Sequence, residues 1–531
     1  MAPSRLDSPD SSDSAEVGYA ASMETLDSYW KLGDDCVVAV QKTSLRKFNN
    51  EQCGYLVDKL QVVVQSARLF LEVLRAEGLR SYVDVAKQVE TFKLLLALAK
   101  QVESFVQGCC KDSWIQSAMT LTNVWEYVAS VGFHLVLCRV AFCMECAATG
   151  GLTLNEVEEI HKAEVEVVKK KAFADVDTLF EKVILEMPSL SSENKDLACY
   201  LIQRLKQVKP IPASGLHVSG SPSEGSSGFL GRLFKWVKPG GQLGRGASGT
   251  VDKAIWLGTP VAKKTFFGTE NPDFMKEVEV LSPLCHPNVM SVFCSAKNKK
   301  SCSIIMELMD EDLYHLMQRR LEENNPPPFP ILEAVDIMLQ IGEGVKYLHN
   351  QRVVHRDLKS MNILVKTLDG YVHAKVADFG LSQTKEKSVR YSSLTYNVGS
   401  SRWMPPEIIK LDTRDTGSSA MTRTQKHPLK CDSYSFGMVC FEILTGDVPY
   451  PTIHNLKEVK KLIIQGQRPQ LPKDCKNCPP MLIDLIEKCW SWNPEERPTF
   501  TTICSVLKYM KYSLMRSGEF LLLLATKKIC F

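Results

Sequence analysis

The sequence carries almost no excess of charge of either sign. It contains 64 lysines and arginines against 61 aspartates and glutamates, which leaves a formal net charge of +3 over 531 residues. Proteins that bind polyanions have a larger basic excess, and nucleic-acid binding also needs basic clusters interleaved with aromatic residues, which the sequence lacks. The composition therefore predicts that nucleic acid is not a ligand.

Long apolar runs are scarce as well. The most apolar stretch, VASVGFHLVLCRVAFCMECAA from Val128, is interrupted by His134, Arg139 and Glu145, whereas a membrane-spanning helix needs about 20 mostly apolar residues. A buried core helix explains the stretch better, and we expect no transmembrane segment. The basic sequence VEVVKKKAF from Val165 leaves peripheral contact with a membrane surface as an open alternative.

Cysteines are numerous, but they lack the context of a disulfide scaffold. The 18 cysteines are scattered along a long chain, and no signal peptide precedes them. Structural zinc needs four ligands, and neither Cys109 with Cys110 nor Cys475 with Cys478 has a second pair of ligands at the required spacing. The sequence thus predicts reduced thiols in a cytoplasmic protein.

Composition and periodicity divide the chain into five segments. Residues 1–22 are rich in serine and aspartate, which predicts a disordered tail. Residues 23–208 show helical periodicity and predict an N-terminal all-α helical bundle. Residues 209–232 form a flexible linker of serine, glycine and proline. In residues 233–512, short branched runs precede longer helical patterns, which predicts a bilobal α+β domain. Residues 513–531 are a C-terminal tail, and the fold class is multidomain.

The clearest helical pattern lies in the predicted bundle. One apolar stripe steps by four and three along the chain: Leu56, Leu60, Val63, Ala67, Phe70 and Leu74. Such a stripe needs neighbouring helices to cover it. Self-association or docking of a partner through the bundle is compatible with this pattern, although apolar stripes more often form a core.

A glycine-rich string, GRGASG from Gly244, lies near the start of the predicted α+β domain. Alone, a GxGxxG string is a weak signal, because it also marks dinucleotide-binding folds, where the glycines open a helix. Here Thr250, Val251 and further strand-like sequence follow. This context favours a hairpin whose backbone amides close over phosphates.

Three further motifs follow the glycine-rich string in a fixed order. They are HRDLKSMN from His355, ADFG from Ala377 and WMPPE from Trp403. In this order the motifs resemble those of a protein kinase domain. The lysine of HRDLK, together with GSSRWMPPE and CWSWNPEERPTF, resembles the tyrosine-kinase-like group of plant serine/threonine protein kinases with an N-terminal helical domain. The resemblance implies transfer of phosphate from ATP, with Mg²⁺, to serine or threonine of protein substrates, with tyrosine as a further acceptor.

The resemblance implies roles for individual residues of the catalytic loop and the DFG motif. Asp357 corresponds to the catalytic base, and Lys359 to the lysine that steadies the transferred phosphoryl group. Asn362 and Asp378 correspond to the magnesium ligands. Oxygen donors of this kind suit a hard cation.

The resemblance also implies which residues bind the nucleotide. VAKK aligned with the kinase VAIK pattern selects Lys264 over Lys263, and Glu277 is its expected ion-pair partner, with Glu279 as the rival. Met306 falls at the gatekeeper position, beside the adenine edge. The expected nucleotide-binding residues are Leu243, Gly244, Arg245, Gly246, Ala247, Ser248, Gly249, Val251, Ala262, Lys264, Glu307 and Met309.

The segment between Asp378 and Glu407 resembles a kinase activation segment. Its hydroxyl-bearing residues include Ser388, Tyr391, Ser392, Ser393, Thr395 and Tyr396. Arg356 stands where kinases receive a phosphorylated loop, so we expect loop phosphorylation to switch the protein. Glu407 is expected to pair with Arg497, and Pro405 replaces the alanine usual in this family. Asp432 resembles the helix aspartate that braces the catalytic loop.

A second hypothesis comes from another class of protein. The architecture is also related to that of plant mixed-lineage kinase domain-like proteins, in which a bundle attacks membranes and the kinase domain is inactive. The chain would then be a kinase-like switch of low activity controlling a bundle that binds membranes or partners. Intact Lys264, Asp357 and Asp378 favour an active enzyme.

Overall fold

The structure is a computed structural model. It describes residues 11–43, 45–75, 85–121, 124–143, 151–208, 237–245, 249–268, 271–297, 301–323, 327–368, 370–379, 383–384, 398–412, 427–471 and 478–516. The predicted linker 209–232 lies outside these residues. The predicted C-terminal tail begins inside the last helix, and its residues from 517 onward also lie outside them.

The first part of the described chain is helical. Its helices are α1 (Ser11–Lys42), α2 (Asn50–Arg75), α3 (Val85–Cys109), α4 (Trp114–Leu121), α5 (Trp125–Phe142), α6 (Leu154–Glu186) and α7 (Ser192–Val208). The predicted stripe on α2, from Leu56 to Leu74, is buried to 1% exposure or less. The all-α prediction for this region is therefore confirmed.

The start of α1 differs from the sequence prediction. Composition predicted a disordered tail to residue 22, whereas the helix begins at Ser11. Met23 and Leu26 are buried further along the same helix. Because helix propagation costs far less than nucleation, a helix anchored by such packing extends into polar sequence that would not form a helix alone.

A five-stranded sheet dominates the small lobe of the second region. Its strands are β1 (Val237–Arg245), β2 (Gly249–Trp256), β3 (Thr259–Phe266), β4 (Val292–Lys297) and β5 (Cys302–Glu307), and the helix α8 (Pro272–Leu281) follows β3. The spatial order is β1-β2-β3-β5-β4, and every neighbouring pair is antiparallel. Among the described strands β4 pairs only with β5, so it forms an edge of this sheet.

The large lobe is mostly helical. Its helices are α9 (Leu313–Glu323), α10 (Ile331–Asn350), α11 (Pro406–Asp412), α12 (Leu429–Thr445), α13 (Leu456–Ile464), α14 (Pro480–Cys489) and α15 (Phe500–Met515). Its strands are β6 (Glu311–Asp312), β7 (Val353–Val354), β8 (Ile363–Leu368), β9 (Tyr371–Val376) and β10 (Gln383–Thr384). The catalytic-loop sequence lies between β7 and β8. The α+β fold class is confirmed.

The chain divides into two compact units. One comprises Met1–Asp112, Val128–Lys171 and Tyr512–Phe531, and the other comprises Ser113–Tyr127 and Ala172–Lys511. The second unit thus contains α4 and α7 together with both kinase-like lobes. In the first unit, the Tyr55 hydroxyl on α2 donates to Glu164 of α6, and Lys59 pairs with the same carboxylate at 2.9 Å.

The apolar stretch from Val128 lies in α5 as far as Phe142, and the residues of this helix are largely buried, among them Val128, Phe133, Leu135 and Cys138. Over the described ranges, no single helix has the length and apolar content to cross a membrane. Among the described helices, α4 and α5 reach that length and apolar content only when taken together, and the chain bends by 73° between them. Burial confirms the prediction of a core helix for α5. Nowhere in the described part do three His, Cys, Asp or Glu side chains form a group that could hold a metal ion.

Candidate active site

An ion pair links β3 to α8 in the small lobe. Lys264 Nζ lies 2.6 Å from Glu277 Oε2, and the Glu277 carboxylate side chain is only 5% exposed. Glu279, the rival partner, faces solvent. Successive side chains on a strand point to opposite faces, so Lys263 cannot reach the same carboxylate. The predicted pair of Lys264 and Glu277 is therefore present.

Two side chains of the catalytic loop, those of Lys359 and Asn362, converge on Asp357. Lys359 Nζ lies 2.9 Å from Asp357 Oδ2. The side-chain amide nitrogen of Asn362 donates to the backbone oxygen of Asp357 at 2.7 Å and to Oδ2 at 3.0 Å. Lys359 also donates to the Ser400 hydroxyl at 2.9 Å. These contacts fix the carboxylate in one orientation and place a positive charge beside it.

Asp432, on α12, binds the backbone of the catalytic loop. It accepts hydrogen bonds from the backbone N–H groups of His355 and Arg356 and from the ring of His349. Burial opposes ionisation of Asp432, but the hydrogen bond and charge of His349, together with His355 and the Arg356 backbone N–H, outweigh it and lower the pKa of the carboxyl. Arg356 adopts a φ of 70°, a strained conformation that Asp432 helps to maintain.

The DFG motif follows β9 at the same place. Asp378 is exposed and has a φ of 59°. His355 Nε2 donates to the carbonyl oxygen of Ala377 at 2.9 Å, and its ring meets that of Phe379 edge-on at 5.3 Å. The backbone N–H of Ala377 donates to the Asn362 carbonyl oxygen. The two predicted magnesium ligands, Asn362 and Asp378, are thus tied into one local backbone arrangement.

The glycine-rich string lies at the turn from β1 to β2. Gly244 pairs with Val251, and Arg245 pairs with Thr250, across the hairpin. A side chain at Gly249 would collide with the carbonyl oxygen of Thr265, so this position requires glycine. The predicted nucleotide-binding residues Gly246, Ala247 and Ser248 lie outside the described residues. Leu243 is 51% exposed on β1.

The predicted adenine edge runs from the end of β5 toward the large lobe. The backbone N–H of Glu307 donates to Ser291 at 3.1 Å. Its carboxylate pairs with Lys375 at 2.8 Å. Burial opposes ionisation of Glu307, but the Lys375 charge outweighs it and lowers the pKa of the carboxyl. Met309 packs with Ala377 and Met306 in one apolar cluster, which connects this edge to the DFG motif.

The end of the activation segment is anchored as the sequence predicted. Arg497 forms a bidentate pair with Glu407 at 2.7 and 2.9 Å. A pocket beside Asp357 is lined by Ser400, Met404 and Pro405 among others. The hydroxyls from Ser388 to Tyr396, predicted as phosphorylation sites, lie outside the described residues.

Sequence reasoning missed two positions next to the catalytic loop. Ser400 bridges the activation segment to Lys359, and Glu442 accepts hydrogen bonds from the Ser360 hydroxyl at 2.6 Å and the Trp403 indole at 2.8 Å. Ser400 stands within the quoted GSSRWMPPE motif, where a hydroxyl close to WMPPE could have signalled it. Glu442 gives no comparable signal, because an acidic residue on an apolar helix is recognisable as buried only after packing.

Glu442 predicts a pH-dependent stability. Its side chain is fully buried, and burial raises the pKa of the carboxyl from 4.5 to about 7. The folded state then holds a proton between these pH values that the unfolded state has lost, so stability falls as pH rises through this window. The loss approaches about 3 kcal/mol. We expect urea midpoints measured from pH 5 to pH 8 to fall less steeply for Glu442→Gln than for the wild type.

The glutamine variant is the matched control, since it keeps the shape of the side chain and cannot ionise. Parallel pH profiles for the two proteins would contradict the assignment of the raised pKa to Glu442.

Comparisons with known proteins identify the family of this chain. Residues 237–507 match the family model described as protein tyrosine and serine/threonine kinase. The chain is 54% identical over 510 residues to a light-sensor protein kinase of Ceratodon purpureus, covering 93% of this chain and 39% of that protein. Since the family match spans only the second half of the chain, this similarity extends well into the helical region.

Two Arabidopsis thaliana proteins are similar over about half of this chain. The serine/threonine-protein kinase VIK is 33% identical over 51% of this chain and 59% of its own length. The serine/threonine/tyrosine-protein kinase HT1 is 34% identical over 44% of this chain and 54% of its own length. The chain therefore spans less than two thirds of the length of each of these relatives.

Proposed function

The chain belongs to the protein tyrosine and serine/threonine kinase family, and we propose that it transfers the γ-phosphate of ATP to serine and threonine hydroxyls of protein substrates. The observation that carries this proposal is the cluster around Asp357, whose carboxylate lies 2.9 Å from Lys359 and 3.0 Å from the Asn362 amide. The names of the relatives support the choice of serine and threonine. Tyrosine is the further acceptor to include in an assay.

Asp357 orients the acceptor hydroxyl and accepts its proton as the oxygen attacks phosphorus. A carboxylate held by two hydrogen-bond donors needs little rearrangement to do this, because its position is fixed before the substrate binds. Lys359 places its ammonium between the base and the activation segment, where it stabilises charge on the transferred phosphoryl group. The pocket lined by Met404 and Pro405 lies on the side from which the protein substrate approaches Asp357.

Lys264 holds the α and β phosphates, and Glu277 keeps its ammonium in place at 2.6 Å. The backbone of the β1–β2 hairpin, which includes Gly244, Arg245, Gly249 and Val251, covers the nucleotide from above. The backbone groups of Glu307 and Met309, with the side chain of Ala262, form the adenine pocket. These assignments rest on the position of each residue on β1, β2, β3 and the end of β5.

The residues at the end of the catalytic loop fit magnesium. The side-chain nitrogen of Asn362 makes both contacts to Asp357, so its oxygen is the atom that a cation would use. Asp378 presents an exposed carboxylate. These are the hard oxygen donors that Mg²⁺ prefers. Magnesium bound by Asn362 and Asp378 would neutralise charge on the phosphate oxygens.

Further proposals concern the setting of the enzyme. Buried cysteines such as Cys36, Cys440 and Cys504 are free thiols, which supports a reducing, cytoplasmic compartment. Cys478, in contrast, is disulfide-bonded. We retain residues 233–512 as the kinase domain, joined to the helical region by the linker 209–232. Docking of partners or a second copy through the bundle is a proposal for its role.

The two adjacent lysines of β3 test the nucleotide assignment. We expect Lys264→Met to lower kcat/KM for phosphate transfer by about 10²-fold, the range typical for loss of one preorganised donor to developing charge. Lys263→Met should change it by less than about twofold, because this half-buried side chain lies on the opposite face of the strand, away from Glu277. The measurement is transfer of labelled γ-phosphate from ATP with magnesium to a generic serine/threonine substrate.

Equal losses in both lysine variants would contradict the assignment of Lys264. No transfer by the wild type, with nucleotide still bound, would contradict the proposed activity and favour the switch of low activity.

A further inference from the structure

The edge strand of the small-lobe sheet carries a β-bulge beside the gatekeeper. Val292 of β4 pairs with Met306, whereas Cys294 pairs with Ile305, so Phe293 is an extra residue between the two pairs. A bulge leaves its residue outside the ladder, and an edge strand has no second neighbour to satisfy it. The Phe293 backbone at this point therefore needs a partner from elsewhere in the fold.

Helix α7, from the helical region, supplies that partner. The Tyr200 hydroxyl donates a hydrogen bond to the carbonyl oxygen of Phe293 at 2.9 Å. Burial raises the pKa of Tyr200 to about 12, so the hydroxyl keeps its proton and remains a donor at neutral pH. The Phe293 ring stacks on Trp256 of β2 at 5.9 Å. The bulge is thus held from α7 on one side and from the sheet on the other.

Other residues of the helical region lie near β4 and the predicted adenine edge. Burial raises the pKa of the Cys285 and Cys294 thiols, and the positive charge of Arg204, one helical turn beyond Tyr200, partly opposes that rise. The negative charge of Glu126 adds to the rise in the pKa of Cys285. Tyr127, the last residue of the segment Ser113–Tyr127, lies close enough to Glu307 that burial and the Glu307 charge raise the pKa of its hydroxyl. These residues all belong to the same compact unit as the two lobes.

The bulge has a direct connection to the nucleotide site. Val292 is paired with the gatekeeper Met306, and the next residue, Glu307, begins the adenine edge. Upstream of β4, Met290 donates its backbone N–H to the Val376 carbonyl oxygen at 3.0 Å, two residues before Asp378. A shift of β4 would therefore move both the adenine edge and the segment that leads into the DFG motif.

We propose that α7 sets the affinity of this enzyme for ATP, with Tyr200 acting as a positioning residue that fixes the β4 bulge beside the gatekeeper. The inference rests on the proposed function, because it concerns the ATP site of that activity. Tyr200 does not touch the nucleotide. It raises the fraction of molecules whose adenine edge is in the binding-competent arrangement, and the apparent affinity for ATP scales with that fraction.

The test compares Tyr200→Phe with the wild type in the full-length chain. The variant removes one hydroxyl and keeps the ring, so we expect the fold to be retained. Loss of one hydrogen bond should raise the Kd of magnesium with a non-hydrolysable ATP analogue by about three- to fivefold, measured by calorimetry. KM for ATP should rise in parallel, while kcat at saturating ATP stays unchanged. Tyr29→Phe, on α1 in the other unit, is the matched control and should leave both constants unchanged.

A second measurement distinguishes a positioning role of Tyr200 from a role in which α7 only covers the edge of the sheet. Hydrogen exchange of the nucleotide-free protein should be faster in residues 290–297 of Tyr200→Phe than in the wild type. An unchanged Kd in this variant would overturn the proposal, even if its melting temperature fell, because α7 would then only cover the sheet edge. A wild type that fails to bind the ATP analogue would instead count against the proposed function, on which this inference depends.

Discussion

Replacing Asp357 with asparagine should lower kcat for phosphate transfer by about 10²- to 10⁴-fold, the range that a positioned general base contributes. The asparagine amide keeps the size of the side chain but cannot accept the proton of the acceptor hydroxyl. It would also lose the charge that Lys359 contacts at 2.9 Å. Binding of the ATP analogue should persist, because Lys264 and the adenine edge are unchanged. Labelled transfer and calorimetry on the same preparation measure the two effects.

Asp484→Asn is the control for this experiment. Asp484 is 60% exposed on α14 and pairs with Lys488 one turn away, so its loss should not alter activity. Phosphate transfer by Asp357→Asn at the rate of the wild type would exclude Asp357 as the base. Loss of analogue binding in that variant would show that the change disturbs the nucleotide site rather than the chemical step.

The second large effect concerns stability. Arg497→Met should lower the melting temperature of the second unit by roughly 6–20 °C, which corresponds to the 3–5 kcal/mol lost when one partner of a buried ion pair is removed. The Arg497 side chain is fully buried and pairs with both oxygens of Glu407. It also donates to the carbonyl oxygens of Ser491, Lys430 and Trp492. The variant leaves all of these acceptors without this donor.

Arg319→Met provides the matched comparison. Arg319 pairs with Glu311 and Glu323 in the same unit, but it is 47% exposed, and exposed pairs contribute only about 0–1 kcal/mol. Differential scanning calorimetry of the two variants should therefore show a large shift for Arg497 and a small one for Arg319. Similar shifts would mean that the buried pair does not anchor the end of the activation segment.

Local patterns were enough to predict much of the site. Lys264 and Glu277 could be paired in advance because the resemblance of VAKK to the kinase VAIK pattern selects Lys264 and implies Glu277 as its partner. Alternation along the strand places Lys263 on the opposite face. The outcome, an ion pair of 2.6 Å, agrees with that reasoning. The pairing of Glu407 with Arg497 was likewise predicted from two motifs, although 90 residues separate them.

Other contacts could not be predicted because no periodicity relates their partners. Ser400 meets Lys359 across 41 residues, and Glu442 meets Ser360 across 82. The beginning of α1 at Ser11 also departed from composition, since packing further along the helix sustains it.

The sequence by itself determined the order of motifs, the helical and mixed regions, and the residue types available for phosphate transfer, because these depend on spacing along the chain. Tertiary structure alone decided that Tyr200 reaches Phe293 across 93 residues and that Glu442 is buried. It also decided that α4 and α7 belong to the same compact unit as the two lobes. Burial and long-range hydrogen bonding arise only when distant segments pack together, which is why the free energies they contribute cannot be assigned from local sequence.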